Sequence, residues 1–258
     1  MDGVNKTLYI PLYAKAFVSR KGLFLKDKKA EEIWSKEGFA LKGKAKSKWL
    51  AYYLGIRASV FDEWVKERLT EDAAVIHIGC GLDGRALRVG TETGVWYDLD
   101  FPEVIKERKR YYAETEKYQM LADDAREVAW LKKIPQKTHA LVVMEGVSMY
   151  LTNEEWRNLT AQICARFDKV SLLTDCYTPF AVKASKWHNP INAVGVTQVC
   201  GVADPIDLQN GDLAFEKELE MIPQKYVDEL HGLEKWIFAR VYAGKISKKL
   251  YKLFAYKK

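Results

Sequence analysis

Cysteine is scarce: Cys80, Cys164, Cys176 and Cys200 stand far apart, with no C-x-x-C pair. That spacing argues against a zinc site and a disulfide framework, implies no metal, and leads us to expect reduced thiols in a cytoplasmic protein. Long apolar runs are missing too. No stretch approaches the roughly 18 residues that a membrane helix needs, so no membrane association is expected. The opening Met-Asp-Gly-Val-Asn-Lys has no basic segment leading into an apolar one, so no secretory leader is expected. Histidine is as rare as cysteine, at four residues, which leaves few side chains that titrate near neutrality. No internal repeat, linker or low-complexity tract is present.

What remains is the composition of an ordinary globular chain. The 258 residues are 48% apolar and 29% charged, a size that suits one α/β domain with elaborations. Aromatic residues reach 12%, enough to line a pocket as well as a core. The net charge of +6 is interspersed, except where Lys245, Lys248, Lys249, Lys252, Lys257 and Lys258 crowd the end. Such an excess permits an anionic partner but does not demand nucleic acid, and nucleic acid is not expected.

Residues 1–70 read as a helical cap. Asp27 offers an N-cap, and Ile56, Val60, Phe61, Trp64, Val65 and Leu69 form one stripe at helical spacing. The texture then changes. Strands are predicted at Ala73–Ile78, Val95–Asp100, Tyr118–Ala122, Ala140–Met144 and Val170–Asp175, with helices between them. One helix is expected over Pro102–Glu116, and another is capped by Thr152 or Asn153. This alternation predicts an α/β fold, a doubly wound and mostly parallel sheet. Residues 71–176 would form the ligand-binding core. Residues 177–212 are irregular and rich in Gly, Pro and Asn, as expected of a lid or a surface excursion. Residues 213–258 close the chain, with alternating strands at Leu213–Met221 and Leu250–Tyr256.

Four segments carry chemistry. Gly79-Cys-Gly-Leu-Asp-Gly84 follows a strand and precedes a helix, so Gly79 and Gly81 let the backbone approach a ligand closely. The spacing alone fits either a dinucleotide or S-adenosylmethionine (SAM). Asp100, at the tip of the second strand, can accept from both hydroxyls of a ribose, whereas Asp98 reads as a surface or capping aspartate. Asp123 is the candidate acceptor for an adenine amine, with Asp124 beside it and helix capping as the competing role for either. Glu145 ends an apolar strand, where it needs a cationic partner, either from the ligand or from a nearby basic residue. A fifth piece is Arg57, which opens the helix before the first strand and could hold a ligand carboxylate as a fork.

In this order the residues resemble the leucine carboxyl methyltransferase-like family of class I SAM-dependent methyltransferases. The closer likeness is to its bacterial branch of polyketide O-methyltransferases of the tetracenomycin type. The likeness rests on Pro11-Leu-Tyr-Ala-Lys-Ala, Ile56-Arg-Ala, Gly79–Arg85, Tyr97–Val104 and Glu145-Gly-Val-Ser-Met-Tyr-Leu. It implies a Rossmann-like seven-stranded sheet, SAM as cofactor, S-adenosylhomocysteine as product, and a small-molecule acceptor, anionic or aromatic. By the same likeness Arg57 holds the SAM carboxylate, Gly79 passes close to the ligand, Asp100 holds the ribose, Asp123 contacts the adenine, and Glu145 lies near the methionyl end. The family usually has Thr where this chain has Gly84, and the C-terminal third resembles it only loosely.

Methyl transfer from a sulfonium is an in-line displacement that chiefly requires alignment and exclusion of water. A carboxylate acceptor needs no base, whereas a phenol or alcohol does. His77 reads as a core residue, and neither His139 nor His231 has a strong claim. His188 in the lid is the best placed base, and Tyr150 is expected to line the pocket. An NAD(P) oxidoreductase would use the same glycine loop and acid, but the long helical cap and the lack of a Tyr-x-x-x-Lys pair after the fifth strand argue against it. A SAM-binding module without catalysis, and a tRNA-modifying role suggested by the basic end, complete the alternatives.

Overall fold

The computed structural model describes residues 8–37, 41, 43–136, 139–188, 199–244 and 249–258, without the side chains of 43–44 and 186–188. Two helices begin it, α1 (Tyr9–Arg20) and α2 (Lys28–Lys36). Asp27 caps α2 as its sequence position suggests, accepting from the Ala30 N–H at 2.8 Å. A third helix, α3 (Lys48–Arg68), is longer than the expected stripe and starts eight residues before Ile56. Arg57 therefore sits mid-helix rather than at its opening. The early turns hid because α3 is buried on nearly every side from Ala51 to Val65, which erases the polar face that periodicity relies on.

The sheet follows. Strand β1 (Ala73–Ile78) leads through the glycine loop to the short α4 (Arg85–Val89), and β2 (Val95–Asp100) leads to α5 (Pro102–Arg108). Then come β3 (Tyr118–Ala122), β4 (His139–Met144), α6 (Asn153–Arg166) and β5 (Lys169–Tyr177). The expected helix to Glu116 stops at Arg108. There the Tyr112 hydroxyl donates to the Leu82 carbonyl (2.9 Å), turning the chain back under the glycine loop, a tertiary anchor that propensity does not encode. Helix α6 begins with a reciprocal capping box: the Glu155 N–H donates to Thr152 Oγ1 (3.2 Å), and the Thr152 N–H donates to Glu155 Oε2 (2.8 Å).

Within 177–212 the structure has a regular helix where irregular chain was expected. Helix α7 (Pro179–His188) starts with Pro in its first turn, and Thr178 Oγ1 accepts from the Ala181 N–H at 3.2 Å. Residues 189–198, the centre of the expected lid, lie outside the described residues. Short helices α8 (Gln224–Asp228) and α9 (Gly232–Ile237) separate β6 (Ala214–Leu219) from β7 (Tyr251–Lys257).

The seven strands order as β3-β2-β1-β4-β5-β7-β6. The first five run parallel, while β7 lies antiparallel to both β5 and β6. Period-two alternation divides the central strands between two layers. Val75, Leu141, Val143 and Leu173 face the N-terminal helices, and Ile76, Val142, Met144 and Leu172 face α6. The chain leaves β1 toward β2 on one side and reaches β4 on the other. That reversal opens a crevice at the strands' C-terminal ends, the place where open α/β sheets take ligands.

Candidate active site at the reversal point of the sheet

A cavity of about 1080 Å³ fills this crevice. Lys15, Arg57, Gly79, Gly81, Asp100, Asp123, Asp124, Glu145 and Tyr150 all line it, so the structure gathers every described candidate of the cofactor set. His188 ends α7, and its side chain lies outside the described residues.

Gly79 carries φ +68°, and a Cβ there would sit 2.3 Å from Val147 Cγ2, so only glycine fits. Asp100 anchors the same loop. Its Oδ2 accepts from the Gly81 N–H (2.7 Å) and its Oδ1 from the Phe101 N–H (2.8 Å). Burial nonetheless pushes its carboxyl up. Each oxygen keeps a lone pair for a further donor, which is what a ribose diol supplies. Asp98 departs from the surface reading: it is fully buried beneath the loop. It pairs with Arg108, accepts from the Tyr118 hydroxyl (2.7 Å), and lies 3.3 Å from His77 Nδ1. Arg108 in turn donates to the carbonyls of Gly81 (2.9 Å) and Asp83 (2.7 Å), which makes Asp98 a brace for the loop. Among the other histidines, His139 meets Ser171 Oγ at 3.0 Å, at the strand ends remote from the crevice.

Charge concentrates at the tip of β4. Glu145 Oε1 lies 3.1 Å from Arg57 Nε and 3.0 Å from its Nη2, while Oε2 meets Arg85. Lys15 Nζ stands 3.8 Å from Glu145 and 3.1 Å from Asp83. Burial alone would raise the Glu145 carboxyl, but Lys15, Arg57 and Arg85 hold it low, at about 2. The network continues outward: Arg85 also meets Asp62 (2.8 Å) and Asp83 (3.1 Å). Arg88 ties Asp83 (2.6 Å), Asp62 (2.6 Å) and the α2 cap Asp27 (2.5 Å) together. Glu145 thus finds its cations within the protein, one of the two partner types the sequence allowed.

At the β3 tip both aspartates have partners of their own. Asp123 pairs with Lys133 (2.5 Å), and Asp124 pairs with Arg126 and accepts its backbone N–H at 3.0 Å. The Arg126 hydrogen bonds lower the Asp124 carboxyl.

Across β4 the lining changes character. Beyond Arg57 the described wall residues are Tyr53, Met149, Tyr150, Tyr177, Ala181, Tyr242, Leu250, Tyr251 and small or apolar neighbours. The Tyr251 hydroxyl donates to Tyr177 Oη at 2.8 Å, with the rings edge-to-face at 4.6 Å. Burial pushes the Tyr53 and Tyr251 hydroxyls up, so both stay protonated at neutral pH.

Sequence reasoning missed Lys15 and Asp175. Lys15 carries a weak signal, a charge between Ala14 and Ala16 in the apolar middle of its helix. Asp175 carries a better one, since it is a carboxylate within a buried strand, beside the tip that bears Glu145. Among the described residues no His, Cys, Asp and Glu cluster could hold a metal ion, and no helix is long and apolar enough to cross a membrane.

Residues 5–164 match the family model for leucine carboxyl methyltransferase. The tetracenomycin polyketide synthesis O-methyltransferase TcmP of Streptomyces glaucescens is 29% identical over 245 residues, which are 93% of this chain and 91% of that protein. An S-adenosyl-L-methionine-dependent methyltransferase of Gibberella zeae, dpfgK, is 29% identical over 65% of this chain and 62% of its own length. Among solved structures, the magnesium protoporphyrin IX methyltransferase ChlM of Synechocystis superposes with a TM-score of 0.51 over 89% of this chain and 93% of that one. At 9% identity that likeness speaks for the fold alone, a class I methyltransferase fold.

Proposed function

The chain belongs to the leucine carboxyl methyltransferase family and is a SAM-dependent methyltransferase, and from that premise we propose that it methylates a carboxylate oxygen of a small, largely apolar and aromatic molecule. The observation that carries this reading is the change in lining across the crevice. The β1–β3 side carries the glycine loop and acids, and the far side carries tyrosines and apolar groups.

SAM supplies an electrophilic methyl group on a sulfonium, and the residues fit its parts. Asp100 accepts from the ribose, Gly79 and Gly81 lie along the nucleoside, and Asp123 with Asp124 borders the adenine. Arg57 and Lys15 face the ligand's carboxylate, and Glu145 faces its ammonium. Across β4, the described wall residues include no His, Asp, Glu or Lys that could serve as a general base. The protonated Tyr53 hydroxyl, which finds no acceptor among the described residues, is a hydrogen-bond donor suited to orient an oxygen that arrives already ionised, while the Tyr251 hydroxyl already donates to Tyr177. A carboxylate is such an oxygen. Tyr150 then acts by shaping the pocket, and α7 borders the acceptor side through Ala181, Ala184 and Ser185. TcmP's printed activity, O-methylation in polyketide synthesis, agrees in kind with transfer to an oxygen of a small molecule.

The test is a panel of aromatic carboxylic acids and matched phenols incubated with the protein and methyl-labelled SAM. Methyl esters release labelled methanol in mild alkali, and methyl ethers do not. We expect alkali-labile label; an alkali-stable product would assign the transfer to a hydroxyl.

A further inference from the structure

Two residues of the crevice of opposite charge, Arg57 and Glu145, come from elements far apart in sequence, α3 and the end of β4. Something must hold them in register, because a guanidinium on a long stem carries considerable rotamer freedom. Asp175 meets Arg57 itself and the backbone next to Glu145. Its Oδ2 accepts from Arg57 Nη1 at 2.7 Å, and its Oδ1 accepts from the Gly146 N–H at 2.6 Å, one residue beyond Glu145. Gly146 turns there with φ +74°. Each nitrogen of the Arg57 guanidinium therefore faces one of two carboxylates: Nε and Nη2 face Glu145, and Nη1 faces Asp175. That fixes the plane of the fork while leaving N–H bonds for a ligand. Asp175 itself is fully buried and is not part of the cavity wall.

We infer that Asp175 is a positioning residue, a carboxylate that sets the Arg57 fork and the Gly146 turn in the geometry that receives the amino-acid end of the cofactor. This rests on the reading of the crevice as a SAM site. Its contribution is selective by construction. It acts on the part of the cofactor that Arg57 and Glu145 face and leaves the nucleoside end, held from β1–β3, untouched.

The selectivity gives the test. S-adenosylhomocysteine carries the amino-acid end, and 5′-methylthioadenosine is the same nucleoside thioether without it. Titrating both into wild type and Asp175→Asn by calorimetry compares the two ends of the site. The asparagine keeps the size and one acceptor but not the charge that Arg57 faces. A hydrogen bond to a charged group contributes enough that S-adenosylhomocysteine affinity should fall about tenfold or more. Methylthioadenosine affinity should stay within about twofold. An equal loss for both ligands, or a loss for neither, overturns the proposal. If Asp175→Asn does not fold, Asp175→Glu is measured in the same way. It restores the charge one carbon out of place, and the same selective loss is expected, smaller in size. Failure of both variants to fold assigns the carboxylate to folding and also overturns the proposal. Failure of wild type to bind either ligand would instead sink the reading of the site itself.

Discussion

The two ends of the crevice solve opposite problems. At the β4 tip, Lys15, Arg57, Arg85, Asp83, Glu145 and Asp175 are buried against one another, each charge facing an opposite one. Across β4 the wall is tyrosine rings and aliphatic groups whose polar atoms are hydroxyls. The charged end is built before any ligand arrives, because each side chain is already oriented by its neighbours. The other end offers shape and surface, which select a ligand by fit rather than by charge. One crevice thus combines a cross-braced charged end with a wall of tyrosine rings and aliphatic groups.

Substitutions can break this contrast, and the largest effect belongs to the charged end. Arg85→Ala leaves Asp62, Asp83 and Glu145 short of a shared cation. Removing one partner from a buried ion pair typically costs about 3–5 kcal/mol. We expect a denaturant midpoint shifted down by that order, with little secondary structure lost in the protein that remains folded. A midpoint within about 0.5 kcal/mol of wild type would mean that the network is solvated rather than buried.

The next effect is a dependence on pH. Glu145 titrates at about 2 in the fold against an ordinary 4.5. A carboxyl lowered by folding stabilises the protein above the unfolded value and loses that contribution as pH falls toward the folded one. Stability should therefore fall between about pH 4.5 and 2, and Glu145→Gln should flatten that limb in a urea titration repeated at several pH values. An unchanged limb would place the acid sensitivity in other carboxyls.

The smallest effect is expected across β4. Tyr251→Phe removes one hydroxyl from the pair with Tyr177 and keeps the edge-to-face rings. A neutral hydrogen bond is worth about 1 kcal/mol, so KM for the acceptor should rise less than about tenfold. The affinity for S-adenosylhomocysteine should not move. A matching loss of cofactor affinity would erase the division between the two ends.

The alternation of β1 to β5, the glycine loop, Asp100 and the cap at Thr152 were all legible in the sequence, because each is a local pattern with a local cause. Residues that act across the fold were not. Lys15 reaches the crevice from α1 and Asp175 braces it from behind on β5, and nothing in their flanking residues reports Asp83 or Arg57 at the other end of the contact. Asp98 was misread for the same reason: its partner Arg108 lies ten positions away on the far side of a turn. The early turns of α3 escaped notice because complete burial leaves no amphipathic stripe. The wall across β4 draws residues from α3, the segment after β4, the end of β5, α7 and the C-terminal strand, so its tyrosines become a set only when the chain is folded.

The most direct test of the account is a calorimetric titration of the protein with SAM, S-adenosylhomocysteine and NAD(P)H, repeated on Asp100→Ala. The account predicts binding of SAM and its product, no binding of the nicotinamide cofactor, and a loss of roughly a hundredfold in the variant from removing charged hydrogen bonds to the ribose. Tight binding of NAD(P)H without SAM, or an Asp100→Ala variant that binds SAM as well as wild type, would contradict it.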